Sequence, residues 1–305
     1  MTAYILRRLL QTVLVVLGVS ALAFGSMFLS GDPTMVMASE SWTREQIEEF
    51  RHQMGFDRPW LVQYVDFLSR AVRGDFGDSL RQQQPVFRLL LQRMPATIEL
   101  ALAAMLIALG IGIPAGILAA TRRNTLMDRL LMVGALIGQS MPVFWLGLLL
   151  AMVFAVTLGW FPVAGRGGWN HLVLPAVSLG LFSVAYNARM TRSAILEVLG
   201  QDYIRTAQAK GVPWRRVLSR HALRNALIPV VTVAGLQFGG LLGGAVITES
   251  IFAWPGVGRL TIQAIQGKDL PLVQAAVTVL ATIFVVLNLI IDLLYAVMDP
   301  RVRPR

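Results

Sequence analysis

Six apolar runs, each near twenty residues, limit what this chain can fold into more than any other feature. They lie at roughly Leu9 to Leu29, Ile98 to Ala120, within Leu130 to Leu158, Leu172 to Met190, Pro229 to Ile247 and Leu272 to Val297. About twenty residues at 1.5 Å rise cross a hydrocarbon core. Backbone groups in lipid find no water, so each run must satisfy them internally and is predicted to be helix. The expected fold class is all-α, a polytopic membrane protein with six transmembrane helices. The chain is 55% hydrophobic and 14% charged, whereas soluble proteins carry about 25% charged residues. Gly110, Gly112, Pro114 and Gly116 in the second run, and Gly138 and Pro142 in the third, suit membrane helices that pack closely. The start, Met1 to Arg8 and then an apolar run, resembles a signal peptide. The length of that run and the lack of a clear small-residue cleavage site instead predict a retained anchor helix.

Several chemistries are excluded early. Cysteine is absent, which removes disulfides and thiolate metal sites. His52, His171 and His221 fall in different loops with no ligand spacing, so no metal is expected. No HExxH, nucleophile elbow or Walker A sequence is present, so the chain has no visible means of catalysis or of binding ATP. No cofactor is expected. The net charge of +10 has a membrane explanation and does not call for nucleic acid. With the N-terminus inside, Lys and Arg concentrate on inside segments: Arg7 and Arg8, Arg122, Arg123 and Arg129, the run from Arg189 to Arg224, and Arg301, Arg303 and Arg305. Acids gather mostly outside. The positive-inside rule therefore predicts both termini on the cytoplasmic side. This divides the chain into an N-terminal helix at 1–30, an external loop at 31–95 and a five-helix core at 96–305 with a cytoplasmic loop at 191–228.

The external loop is too polar to span. Thr43 followed by Gln46 predicts a capping box. Leu61, Tyr64 or Val65, Leu68 and Val72 recur at helical spacing, giving an amphipathic helix begun by Pro59. The stretch Gly74 to Leu80 reads as a turn. The loop is either a lid packed on the spans or a docking platform for a soluble partner. Polar groups near the spans need reasons, because charge at the bilayer centre costs about 2.5–3.5 kcal/mol. Glu99 can reach water, and Asn288 and Asp292 share one helical face, as suits an interhelical hydrogen-bonding stripe. Gln139, Ser140, Met141 and Pro142 interrupt the third run, Tyr186 and Asn187 do so in the fourth, and Glu249 ends the fifth. Gln139, Ser140, Met141, Pro142, Asn187 and Glu249 are candidates to line a translocation path. The structural alternatives are a packing kink, interhelical hydrogen bonds and, for Glu249, an ion pair near Arg259 and Asp269.

The stretch Arg192 to Leu227 is the longest polar interruption in the second half of the chain. It reads as helix, turn, helix. Gly200 ends an extension of the fourth span, Asp202 can N-cap a short helix from Tyr203 to Lys210, and Gly211 stops it. Pro213 begins a third helix. Tyr203, Ala207 and Gly211 fall on one face, an aromatic followed by small residues that another protein can approach closely. Arg216, Arg220 and Arg224 recur every four residues, as suits attraction to anionic headgroups of membrane lipid. Headgroup attraction alone does not explain two glycine-stopped helices, which favours a docking element.

DYIRTAQAKG followed by RRVLSRHALRNALIPV resembles the cytoplasmic EAA loop of binding-protein-dependent ABC importer permeases. More narrowly, the chain is similar to the first permease subunit of the dipeptide, oligopeptide, nickel and glutathione group. MTAYILRRLL, GFDRPWLVQY, RGDFGDSL, MPATIELALAA, SMPVFWLGLLL and ITESIFAWPGVGRL carry this likeness along nearly the whole chain. Arg205 stands where the general pattern has glutamate and Thr206 where it has its first alanine, while Ala207 and Gly211 fit. Pro229 also stands farther from the glycine than in the general pattern. The resemblance implies the type I ABC importer permease fold. It also implies a heterodimer with a second homologous permease, two cytoplasmic ATP-binding subunits and an external solute-binding protein. Asp202, Tyr203, Arg205, Thr206, Ala207, Ala209, Lys210 and Gly211 would form the helix that couples to an ATPase.

The competing class is a self-sufficient secondary carrier or channel. It would show ionisable residues at the midplane and inverted repeats, and neither is evident. A structural scaffold would leave the polar breaks unexplained. The substrate is left open among dipeptides, longer peptides, glutathione and nickel chelates.

Overall fold

Polar backbone groups without water must bond within their own segment, and the computed structural model is helical throughout its regular parts. It describes residues 2–29, 32, 34–35 and 42–298, so the basic cluster Arg301, Arg303 and Arg305 lies outside the described residues. Among the described residues, five helices are long and apolar enough to cross a membrane: Ile5–Ser26, Val86–Thr121, Trp169–Leu199, Trp214–Gly243 and Leu270–Leu293. A sixth crossing exists if Leu126–Ser140 and Val143–Thr157, bent by 103° at their junction, count as one. The third predicted span is thus a broken pair. Pro142 explains the break: it has no N–H to donate, and it holds Met141 extended at φ −80 and ψ 128.

The chain forms two compact units, residues 1–97 with 255–305, and residues 98–254. The first contains α1 (Thr2–Leu29), α2 (Arg44–Met54), α3 (Trp60–Ala71), the start of α4 (Val86–Thr121), α11 (Val257–Gln266) and α12 (Leu270–Met298). Helix α1 packs along α12, and Arg8 pairs with Asp292 at 3.0 Å. Asp292 therefore makes an interhelical bond of the kind expected on the face it shares with Asn288, and its partner is Arg8 of α1. Helix α2 starts in the predicted capping box, with the Thr43 N–H donating to Gln46 Oε1 at 2.8 Å and the Gln46 N–H to Thr43 Oγ1 at 3.3 Å.

Helix α3 begins after Pro59, and its buried side overlaps the expected stripe at one edge only, where Tyr64 and Leu68 are half-buried. Phe67 is the buried residue, against Phe24 and Phe76, whereas Leu61, Val65 and Val72 are exposed. Beyond it, the turn at 77–85 rests on Asp269, a buried side chain just before α12. The Ser79 hydroxyl bonds the Asp269 carboxylate, and the N–H groups of Leu80 and Arg81 approach it at 3.3 and 3.4 Å. Arg81 Nε donates to the Gly267 carbonyl at 2.7 Å. At α11, the Val257 N–H donates to Thr97 Oγ1 at 2.8 Å.

The second unit contains the rest of α4, α5 (Leu126–Ser140) and α6 (Val143–Leu150), the latter continued by a π-helical segment, Ala151–Thr157. It also contains α7 (Trp169–Leu199), α8 (Asp202–Ala209), α9 (Trp214–Arg216) with a π-helical segment, Val217–Ala222, and α10 (Leu223–Ile251). Helix α7 is its axis and touches α5, α6 and α10. Its approach to α4 is close enough to exclude side chains. A Cβ at Gly112 would lie 2.8 Å from the Val184 carbonyl, and one at Gly116 would lie 2.5 Å from that of Ala188. Small residues at a helix contact let backbones meet in this way. Glu99 pairs with Arg166, whose Nε lies 2.9 Å from its carboxylate, and Arg166 also sits over the Trp254 ring.

Candidate functional site

Helix α8 is held by its inner face. Ile204 and Ala207 are buried against Val217 and Ala222, with Val198, Leu199, Val212 and Leu218 around them. Val217 and Ala222 stand five residues apart yet both face α8, because the backbone between them is π-helical and a π turn brings i and i+5 into line. Ala207 therefore does not present the open small-residue face predicted for it; it is part of the seat. Replacing it by a larger side chain would disturb the loop before it met a partner.

The termini of α8 also differ in detail from expectation. Gln201 is the N-cap and makes no side-chain cap bond, and Asp202 is the first helical residue. A carboxylate in the first turn still faces the positive end of the helix dipole. Lys210 is the C-cap, and Gly211 follows at φ +72, the left-handed geometry that ends helices. Thr206 Oγ donates to the Asp202 carbonyl at 2.9 Å, and Arg205 lies 3.4 Å from the Asp202 carboxylate. Tyr203 ties the helix sideways: its oxygen accepts from Asn225 Nδ2 at 2.9 Å, and Asn225 also donates to the His221 carbonyl at 3.3 Å. Asp202, Arg205, Thr206, Gln208, Ala209 and Lys210 are left exposed. The result is a short polar ridge on an apolar seat.

Below the ridge lies a contact that pattern reading missed. Arg192 on α7 forms a two-pronged ion pair with Asp128 on α5, at 2.7 and 2.8 Å. Asp128 is 3% exposed and also accepts from the Asn124 N–H at 3.0 Å. Thr125 caps α5 by accepting from the Asp128 N–H. The pair thus fastens the α4–α5 turn to the helix that leads into α8. A sequence signal existed, since Thr125 with Asp128 three residues on is an N-terminal capping pattern. Its arginine, 64 residues away, had no local sign. Ala120, Ala194, Ile195, Ala226 and Val230 form the apolar cluster beside it.

The six candidate pathway residues fall into separate settings. Ser140, Met141 and Pro142 line an open, largely apolar notch of about 550 Å³ at the α5–α6 break, with Leu136, Phe144 and Trp145. Ser140 Oγ donates back to the Leu136 carbonyl at 2.9 Å, and Gln139 is half-buried beside it. Asn187 is fully buried, with Nδ2 donating to Gln237 Oε1 on α10 at 3.2 Å. Glu249 is fully buried near the end of α10, where its carbonyl accepts from the Trp254 N–H at 2.8 Å. Asp269 receives the Ser79 hydroxyl. Among the described residues, no cluster of three or more His, Cys, Asp or Glu is arranged to hold a metal.

Comparison with known proteins identifies this arrangement. The family described as "Binding-protein-dependent transport system inner membrane component" matches residues 112–304, and the N-terminal family of the same membrane components matches residues 1–101. The chain is 44% identical to the di/tripeptide transport system permease protein DppB of Pseudomonas aeruginosa, with 99% of each chain covered. It is 41% identical to the dipeptide transport system permease protein DppB of Escherichia coli, again with 99% of each covered. Among solved structures, an inward-facing form of the MetNI methionine ABC transporter shares the fold, with a TM-score of 0.60 at 19% identity, covering 69% of this chain and 96% of the other. An amino acid ABC transporter does so with a TM-score of 0.54 at 16% identity, covering 70% and 94%. The long apolar helices are accordingly those of a multi-pass inner membrane permease, and the chain belongs to the binding-protein-dependent transport system inner membrane component family of ABC importers.

Proposed function

We propose that this chain forms half of the translocation pathway of a peptide importer, paired with a second homologous permease. The observation that carries the coupling part is the build of α8, an exposed polar ridge on a fixed apolar seat. Asp202, Tyr203, Arg205, Thr206, Ala209, Lys210 and Gly211 present or position that ridge, and Ala207 holds it down. In this reading α8 sits in a cleft of a cytoplasmic ATP-binding subunit, with two such subunits and an external solute-binding protein completing the assembly. The excess of Lys and Arg on the side that carries α8 supports a cytoplasmic location for it and for both termini. The helix at 1–30 then acts as anchor, 31–95 as the external region, and 96–305 as the permease core with its coupling loop at 191–228.

Small peptides are the solute class that the relatives' names support. The notch at Ser140, Met141 and Pro142, largely apolar, lies at a break in a span, and irregular backbone at such a break is tolerated where it lines a cavity. Asn187 and Glu249 are buried within the chain, and Asn187 ties α7 to α10 through Gln237. Transport needs two arrangements of the bundle. ATP shifts their balance only through contacts that differ between them, and α8 is the element placed to feel that difference.

The test uses the exposed ridge. Arg205→Glu with Ala209→Glu is expected to abolish co-purification of the ATP-binding subunits while leaving membrane insertion intact. Retained co-purification with retained transport would remove the coupling assignment. Peptide transport by this chain alone in vesicles would instead establish a self-sufficient carrier.

A further inference from the structure

We propose that α3, although part of the polar region between the first two spans, lies inside the membrane with its apolar face against lipid acyl chains. Depth is the first argument. The Tyr64 hydroxyl donates to the Leu17 carbonyl at 2.9 Å and lies 2.8 Å from Ser20 Oγ. Leu17 stands well inside the spanning stretch Ile5–Ser26. At 1.5 Å per residue its carbonyl is about 13 Å from the Ser26 end, close to half of a core about 30 Å thick. A tyrosine side chain is too short to reach that level from a helix held above the membrane. Phe67, one turn further along α3, meets Phe24 at 5.9 Å between ring centroids. Two side chains on successive turns of α3 therefore touch the spanning part of α1.

The distribution of polarity is the second argument. Leu61 and Val65, on the face turned away from α1, are 56% and 60% exposed, with Trp60 beside them. Water would disfavour such a face by about 25 cal/mol per Å² of apolar surface, and acyl chains would not. The polar residues go the other way. Gln63 Nε2 donates to the Arg58 carbonyl at 2.7 Å, and Asp66 pairs with Arg58 at 3.2 Å. Gln63, Asp66, Ser69 and Arg70 line a cavity of about 390 Å³ closed on another side by Pro271 and Gln274 of α12. A helix of 12 residues is too short to cross, and apolar segments of about that length lie in the interface or re-enter. The Tyr64 bond also fits this setting, because a hydroxyl in hydrocarbon needs a protein acceptor.

The native chain has no cysteine, so one introduced residue gives one labelling site. In the assembled transporter, with partner cysteines replaced and the complex in lipid vesicles, nitroxides are placed at Val65→Cys and, on exposed α2, at Glu49→Cys. Collision rates with oxygen, which enters lipid, and with a water-soluble nickel chelate are then compared. The Val65 label is expected to meet oxygen freely and the chelate several-fold less often than the Glu49 label. Chelate access at Val65 equal to that at Glu49 would place α3 in water and overturn the proposal. Protection from both reagents would show a protein partner on this face and overturn it equally. A label at Leu61→Cys repeats the reading at a second site.

Discussion

The turn at residues 77–85 is fastened to α12 through a buried carboxylate, whereas α8 is fastened through apolar side chains and one tyrosine. Asp269 receives the Ser79 hydroxyl and the N–H groups of Leu80 and Arg81. Each of those bonds has a direction, so the turn has one arrangement that satisfies it. Ile204 and Ala207 meet Val217 and Ala222 by contact alone. Contact of that kind depends little on orientation. Its rigidity is supplied from below, where Asp128 and Arg192 lock α5 to α7. A connection that only has to stay shut is built from directed bonds. On the proposed role of α8, a connection that receives a partner has a soft seat on a hard base.

The largest break in this comparison is at the base. Asp128→Ala leaves Arg192 without its buried partner, and breaking such a pair costs about 3–5 kcal/mol. The expected outcome is a lower melting temperature of the solubilised chain and reduced yield. Asp128→Ala with Arg192→Met should recover most of the loss, since no charge is then stranded. Equal stability of the single and double variants would show that the pair is not coupled.

Asp269→Ala comes next. It strands a hydroxyl and two N–H groups, at about 1–3 kcal/mol for an unsatisfied buried group. Because the effect is local, trypsin cleavage after Arg81 should accelerate while membrane insertion is unchanged. Asp269→Asn keeps one carbonyl acceptor and should fall between the two. Cleavage at the native rate in Asp269→Ala would mean that the turn is held by something else.

Tyr203→Phe is the smallest. It removes the acceptor for Asn225 on a half-exposed face, worth about 0.5–1.5 kcal/mol. Amide exchange in α8 should quicken slightly, with the seat formed by Ile204 and Ala207 intact. A loss as large as that from Asp128→Ala would mean that the tyrosine, and not the apolar seat, holds the helix.

What the residues disclosed in advance was local. The capping box at Thr43, the stop at Gly211 and the break at Pro142 each depend on a few neighbouring residues, and each formed. Contacts across long separations were not visible in this way. Ser79 and Asp269 are 190 residues apart, and nothing near either one names the other. Facing was the other loss. The spacing of Leu61, Tyr64 or Val65, Leu68 and Val72 described a real helical stripe, but it did not choose between Tyr64 and Val65 or point to Phe67, and it is Tyr64 and Phe67 that meet α1. In water an apolar stripe faces the core, whereas beside lipid it is free to face outward. The same limit applied to α8, where a four-residue period placed Ala207 beside Tyr203 but could not foresee the π-helical turn that receives it.

The contact of α4 with α7 carries a further consequence. The glycines at 112 and 116 act as two notches, each filled by the backbone of the opposing helix. Slippage by one helical turn, 5.4 Å, would bring the methyl group of Ala108 or Ala120 to a place where even a Cβ does not fit. The two rods are consequently indexed like a key in a lock cut for one depth. Whatever rearrangement transport demands of this part of the chain, sliding along that seam is not available to it.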